Sequence, residues 1–183
     1  MQGQSDYIWK RMSDEFPEEK GYSLWGANGI NFDEINQGAL GNCWTLSAMQ
    51  TIAEYPDRLQ EIFANPYIND KGVYAVNMFA LGIPITVVVD DYIPFYKNWP
   101  THPKFGRPDD GKGLWPVILE KAIAKYFGFY SAIVAGQPSK AVQAFTGSPG
   151  SYYSMNNFSE DFLWNLVKST NDSRDMISVA TKG

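Results

Sequence analysis

The stretch LWPVILEKAIAKYFG, residues 114 to 128, constrains the fold more than any other part of the sequence. Trp115, Ile118, Leu119, Ala122, Ile123 and Tyr126 recur at helical spacing and form one apolar stripe, which needs a covering layer to leave water. Pro116 sits in the first turn, where its missing N–H does no harm, and Gly128 ends the helix. A core helix is therefore expected here. The single cysteine excludes an internal disulfide, so apolar packing must hold the fold. At 183 residues, 44% of them hydrophobic, the chain has enough for one core, or for one domain and part of another.

Other elements follow from period and punctuation. After Cys43, Leu46, Met49, Ile52 and Ala53 keep helical spacing until Tyr55-Pro56 stops it. A second helix is expected over residues 57 to 63. Strand formers at 73 to 80 and 85 to 89, with Leu81-Gly82 between them, predict a hairpin. The Pro/Gly-rich residues 102 to 113 read as a long surface loop. A short helix is expected over 139 to 145, another in DFLWNLVKS, and a strand in MISVA. Residues 1 to 36 read as an irregular segment anchored by Trp9, Phe16, Tyr22, Leu24 and Trp25.

Fifteen basic and twenty acidic residues leave a net charge of -5 without a Lys/Arg cluster, so the electrostatic footprint for nucleic acid is missing. The opening MQGQSDYIWKRMSDEF is polar where a signal peptide needs an apolar centre, and the longest apolar run, near residues 81 to 89, is too short to span a bilayer. The expectation is a soluble cytoplasmic protein without a membrane span, its thiol reduced and available for chemistry.

That thiol stands in QGALGNCWTLSA, residues 37 to 48. A thiol attacks as the thiolate, and the unpaired N–H groups that begin a helix favour negative charge. Acyl transfer also needs donors for the oxyanion, commonly the nucleophile's own backbone N–H and a nearby side-chain amide. Gln37 is the candidate amide. Extended, the run from Gln37 to Cys43 would span roughly 20 Å, so it must fold back, and Gly38 and Gly41 permit backbone angles that other residues avoid. Taken alone, Cys43 also fits a small buried hydrophobe heading an ordinary helix.

The full string, Q-G-x-L-G-(D/N)-C-W-x-x-x-A, resembles the active-site segment of the calpain family of cysteine proteases, through Gln37, Gly38, Leu40, Gly41, Cys43, Trp44 and Ala48. Further segments are similar to that family in its order: PITVVVDDYIPF; Trp115, Leu119, Glu120, Lys121, Ala122, Ala124 and Lys125; and Phe145-Thr146-Gly147. Asn42 stands where the family usually has aspartate, and Thr45 and Ser47 are more polar than its usual residues. The resemblance implies an α+β, papain-like cysteine protease core. Residues 1–24 would be an N-terminal segment and 25–150 the first, mainly helical subdomain with a small β-hairpin. Residues 151–183 would be a linker and the start of a second, truncated subdomain. Cys43 would be the nucleophile and Gln37 the oxyanion donor, acting on protein substrates.

Such an enzyme also needs a general base, usually histidine. The sequence has only His102, in THPKFG, which reads as a surface loop residue. In calpains the catalytic His and Asn come from the second subdomain, so the resemblance implies half of a split site and no hydrolysis by these residues alone. One expectation is a calcium-dependent cysteine endopeptidase of intracellular limited proteolysis, its Cys43 face covered by a partner chain or by the rest of the second subdomain. The alternative is a non-catalytic calpain-like module within a larger assembly. A transglutaminase would share the nucleophile but not the surrounding strings.

The resemblance also implies calcium, held by carbonyls of Ala27 and Gly29 and carboxylates of Glu34 and Glu120. Glu34 stands where aspartate is usual. Without calcium, Glu34 reads as a loop charge and Glu120 as a solvated helix residue. PDDGKG lacks the spacing of an EF-hand and reads as a solvated turn. The sequons at Asn157 and Asn171 read as accidental in an intracellular protein.

Overall fold

A computed structural model describes residues 6–108 and 111–179. In chain order it contains β1 (Tyr7–Arg11), α1 (Met12–Glu15), α2 (Cys43–Ala53), α3 (Pro56–Ile62), β2 (Val73–Ala80), β3 (Ile83–Asp90), β4 (Tyr92–Tyr96), β5 (Trp99–Pro103), α4 (Trp115–Phe127), α5 (Pro138–Thr146) and α6 (Glu160–Asp172). Helices and small antiparallel sheets are thus mixed, as the broad class expected. Helix α2 starts at Cys43, α3 starts at the proline that follows it, and α4 ends where Gly128 takes a φ of 116°.

The core lies between α2, α4, α5 and the hairpin. Leu46, Met49 and Ile52 share one buried cluster with Ile118, Leu119, Ala122, Ile123, Phe145 and the hairpin residues Tyr74, Val76, Met78, Val87 and Val89. Burial of each such large side chain contributes about 1.5–3 kcal/mol. In the hairpin, Val76 pairs with Val87, and both Leu81 and Gly82 have positive φ, the geometry that matches strand twist in a two-residue turn.

Three expectations are corrected. The irregular N-terminal segment contains β1, which pairs with β4, and β4 pairs with β5, so residues 92 to 103 form a sheet with order β1-β4-β5. Pro94 in the middle strand and Pro100 and Pro103 in its neighbour concealed it, because proline normally argues against strands. The supposed surface loop therefore opens as a strand, and Gly106 beyond it points its N–H into the core at Glu120. Residues 176 to 179 form no strand, and the last residue of MISVA lies outside the described part. Ile177 instead lends its carbonyl to Thr51 Oγ1, and Ser178 shares a hydroxyl hydrogen bond with Ser47, so this segment runs along α2. Helix α6 forms as expected but buries none of its residues, and Phe162, Trp164 and Val167 are exposed.

The paired aspartates after β3 have separate tasks. Asp91 is buried and accepts from Arg11 Nε at 3.1 Å and Nη2 at 3.2 Å, tying β1 to the strand junction. Asp90 is 57% exposed and pairs with Lys121. Asp91→Ala should therefore lower unfolding free energy by about 1–3 kcal/mol in urea titration. Asp90→Ala should cost at most about 1 kcal/mol in the same measurement, as exposed ion pairs do.

Candidate active site

The nucleophile candidate is presented by the start of a helix whose other faces are buried. Cys43 is exposed, whereas Asn42, Trp44, Thr45 and Leu46 around it are buried. Thr45 N and Leu46 N donate to the Asn42 carbonyl, which leaves the N–H groups of Cys43 and Trp44 as the first-turn donors without an intrahelical acceptor. Thr45, more polar than the resemblance expected, is used locally: its Oγ1 donates to the Asn42 carbonyl at 2.7 Å, inside the first turn.

The fold-back before Cys43 converges on one carbonyl. Leu40 O accepts from Gln37 Nε2 at 2.8 Å and from Asn42 N at 2.9 Å. The amide of Gln37 is thus turned toward the residues leading into Cys43. A carboxamide nitrogen carries two hydrogens, so one orients Gln37 while the other stays available to a ligand. The glycines act differently from expectation. Neither Gly38 nor Gly41 has positive φ. Gly38 is needed for close approach, since a Cβ there would collide with the backbone of Lys104 and Phe105, whereas one at Gly41 would only touch Val134 at 3.6 Å.

The segment after β5 supports this loop. Ala39 N donates to Lys104 O at 2.8 Å, and Arg107 N donates to Asn36 O at 3.2 Å. On the other flank, Ala135 N donates to Gly41 O, and Trp44 Nε1 donates to Ile133 O at 2.7 Å. His102 lies in β5, half-buried and stacked on Trp99 with ring centroids 3.2 Å apart, and no described hydrogen bond links it to Cys43 or Gln37.

Glu34 and Glu120 are neither a loop charge nor a solvated helix residue. Both are buried, at 2% and 1% exposure. Glu34 Oε2 accepts from Trp115 Nε1 at 3.1 Å, and its carboxylate lies against the backbone of Gly26 and Gly113. Glu120 accepts from Asn42 Nδ2 at 2.7 Å and from Gly106 N at 2.8 Å. Burial pushes its carboxyl up to about 7, against the opposing pull of those two donors.

Ala27, Gly29, Glu34 and Glu120 supply the oxygen donors that suit calcium. In the described contacts the Glu120 oxygens take Asn42 Nδ2 and Gly106 N, and Glu34 Oε2 takes Trp115 Nε1. Ala27 sits on the Glu34 side, its N–H donating to Gly111 O. Among the described residues, no cluster of three or more His, Cys, Asp or Glu side chains is placed to hold a metal.

The sequence pattern assigns no role to Asn42, Gly106 or the Leu40 carbonyl. A signal existed for Glu120: the preceding WPVIL is apolar on every helical face, so an acid directly after it is apt to be enclosed.

The family model described as calpain family cysteine protease matches residues 1–183. The chain is 38% identical over 124 residues to "Calpain-type cysteine protease DEK1" of Zea mays, covering 68% of the chain and 6% of that protein. It is 30% identical over 177 residues to "Calpain-13" of Rattus norvegicus, covering 94% of the chain and 25% of that protein. "Calpain-8" of the same organism is 27% identical over 164 residues, covering 88% of the chain and 22% of that protein. The chain belongs to the calpain family of cysteine proteases, and it spans between 6% and 25% of the length of these relatives.

Gly38→Ala should destabilise the protein by about 1–3 kcal/mol in urea titration, because the obstacle is backbone. Gly41→Ala should change it by no more than about 0.5 kcal/mol. If the bonds from Asn42 and Gly106 keep Glu120 from calcium, calorimetric titration should give the same heat for the wild type and Glu120→Gln; a smaller heat for the variant would place Glu120 in the ligand set.

Proposed function

We propose that the chain is the cysteine-bearing part of a calpain-type endopeptidase that cuts protein substrates in limited proteolysis in the cytoplasm. The observation that carries the reading is the joint placement of an exposed Cys43 at a helix start and a Gln37 amide folded back onto Leu40 O, within a family of cysteine proteases. The Cys43 sulfur attacks the peptide carbonyl carbon, and the oxyanion that forms takes hydrogen bonds from the Cys43 N–H and the second hydrogen of Gln37 Nε2. The intermediate collapses to a thioester as the amine leaves with a proton, and water then releases the acid and restores the thiol.

The proton must pass through a base, and no described hydrogen bond brings His102, stacked on Trp99, to Cys43. In this reading the base is carried by a second subdomain, of which residues 151–183 are the beginning, or by a partner chain over the Cys43 face. The papain-like arrangement belongs to the same proposal. Calcium regulation accords with the family as a whole.

The second reading, a non-catalytic module in a larger assembly, is favoured by one observation, the engagement of the sole histidine away from Cys43. Peptide hydrolysis by the full-length protein separates the two. Cys43→Ala should abolish turnover, and Gln37→Ala should lower kcat by about 100- to 1,000-fold. Absence of wild-type turnover, with the thiol still alkylated by iodoacetamide, would favour the module. An unchanged rate in Gln37→Ala would remove Gln37 from the mechanism.

A further inference from the structure

A carboxylate enclosed in a helix core is costly unless donors meet it, and replacing such a polar bridge by well-packed apolar side chains is often neutral or stabilising. Glu120 is such a carboxylate. The position of its donors suggests what the bridge does. One is Asn42, covalently next to Cys43, and the other is the N–H of Gly106, next to the Lys104–Phe105 backbone on which Ala39 and Gly38 rest.

We propose that Glu120 is a positioning residue for the oxyanion pocket: by holding Asn42 and Gly106 together, it sets the Gln37 amide relative to Cys43. This rests on the reading of Cys43 and Gln37 as the catalytic pair. The links close into a ring. Asn42 Nδ2 reaches Glu120 at 2.7 Å, Glu120 takes Gly106 N at 2.8 Å, Lys104 O takes Ala39 N at 2.8 Å, and Leu40 O takes both Gln37 Nε2 at 2.8 Å and Asn42 N at 2.9 Å. Every other connection in the ring is covalent and short. Its inner members are shielded from water, Asn42 at 0% and Glu120 at 1% exposure, where hydrogen bonds are least easily exchanged for solvent.

Asn42 supplies Glu120 with an amide donor, which an aspartate carboxylate at that position would not. Its orientation comes from that donor alone, since Asn42 Oδ1 is buried without a hydrogen-bond partner among the described residues. The bridge thus tolerates an unmet acceptor while keeping the one bond that ties the nucleophile's neighbour to α4.

The test uses the full-length protein, with hydrogen exchange and kinetics on Glu120→Met, which keeps volume but removes both acceptors, and Glu120→Gln. In the second variant the introduced amide can accept from Gly106 N and donate to Asn42 Oδ1 once the Asn42 amide turns over. Glu120→Met should speed exchange of the Ala39 amide at least about tenfold relative to the β2–β3 hairpin. It should also lower kcat by about 10- to 100-fold while KM stays within about threefold. Glu120→Gln should restore both toward wild type, and Glu120→Met made in Gln37→Ala should cost little further kcat. Equal acceleration of loop and hairpin, no rescue by Gln, or full additivity with Gln37→Ala would each overturn the proposal. If Glu120→Met fails to fold, Asn42→Ala, which removes one arm, is read by the same loop-to-hairpin comparison. A wild type without turnover would defeat the catalytic reading and, with it, the kinetic arm; the exchange comparison would still decide whether the bridge positions the loop.

Discussion

Helix α4 is enclosed over nearly its whole first half, and that enclosure sets the terms for the rest of the molecule. Trp115, Val117, Ile118 and Leu119 are all buried, so the helix cannot be covered by one layer and instead draws in α2, the hairpin, the turn at residues 130 to 133 and the segment after β5. Within this apolar helix stands Glu120. Its charge is disfavoured by burial, which raises its carboxyl toward neutrality, and the hydrogen bonds from Asn42 and Gly106 work in the opposite direction. The core therefore contains one strongly directional requirement, and it is met by donors from the two segments that flank the candidate catalytic residues.

This explains why the site can be both exposed and ordered. Fixing a loop such as residues 37 to 42 costs on the order of 1–2 kcal/mol per residue in backbone entropy, and a surface loop with only water for company would not stay in one shape. Here the loop's backbone is clasped from below by Lys104 and Phe105, its Leu40 carbonyl takes two donors, and Leu40 itself is buried. Gln37 and Cys43 remain at the surface while the residues beside them carry the packing. Preorganised donors of this kind stabilise developing charge without a further cost of reorganisation.

Much of the fold was legible because local chemistry and tertiary packing agree. The helices beginning at Cys43 and Trp115 and the Leu81-Gly82 hairpin have period, breaker and turn residues that all point the same way. The three-stranded sheet was not legible, since prolines in β4 and β5 remove donors and conceal the strand pattern, and β1 is stabilised by a partner about eighty positions away, through Arg11 and Asp91. Helix α6 shows the opposite case: an amphipathic pattern formed the expected helix, yet its apolar face stays exposed among the described residues. Periodicity reports the capacity to be buried, and only a neighbour supplies the burial.

The sequence by itself determined the family, the place of the lone cysteine at the head of a helix and the glutamine amide within folding reach of it, because these depend on residue types at short, fixed separations. Tertiary structure alone decided that Gly38 serves backbone contact rather than a special dihedral, that Glu120 accepts from Asn42 and Gly106 while Glu34 accepts from Trp115, and that His102 rests on Trp99. Those outcomes depend on which distant segments meet. Such meetings are chosen by the packing of the whole core and leave no mark in the spacing of any one motif.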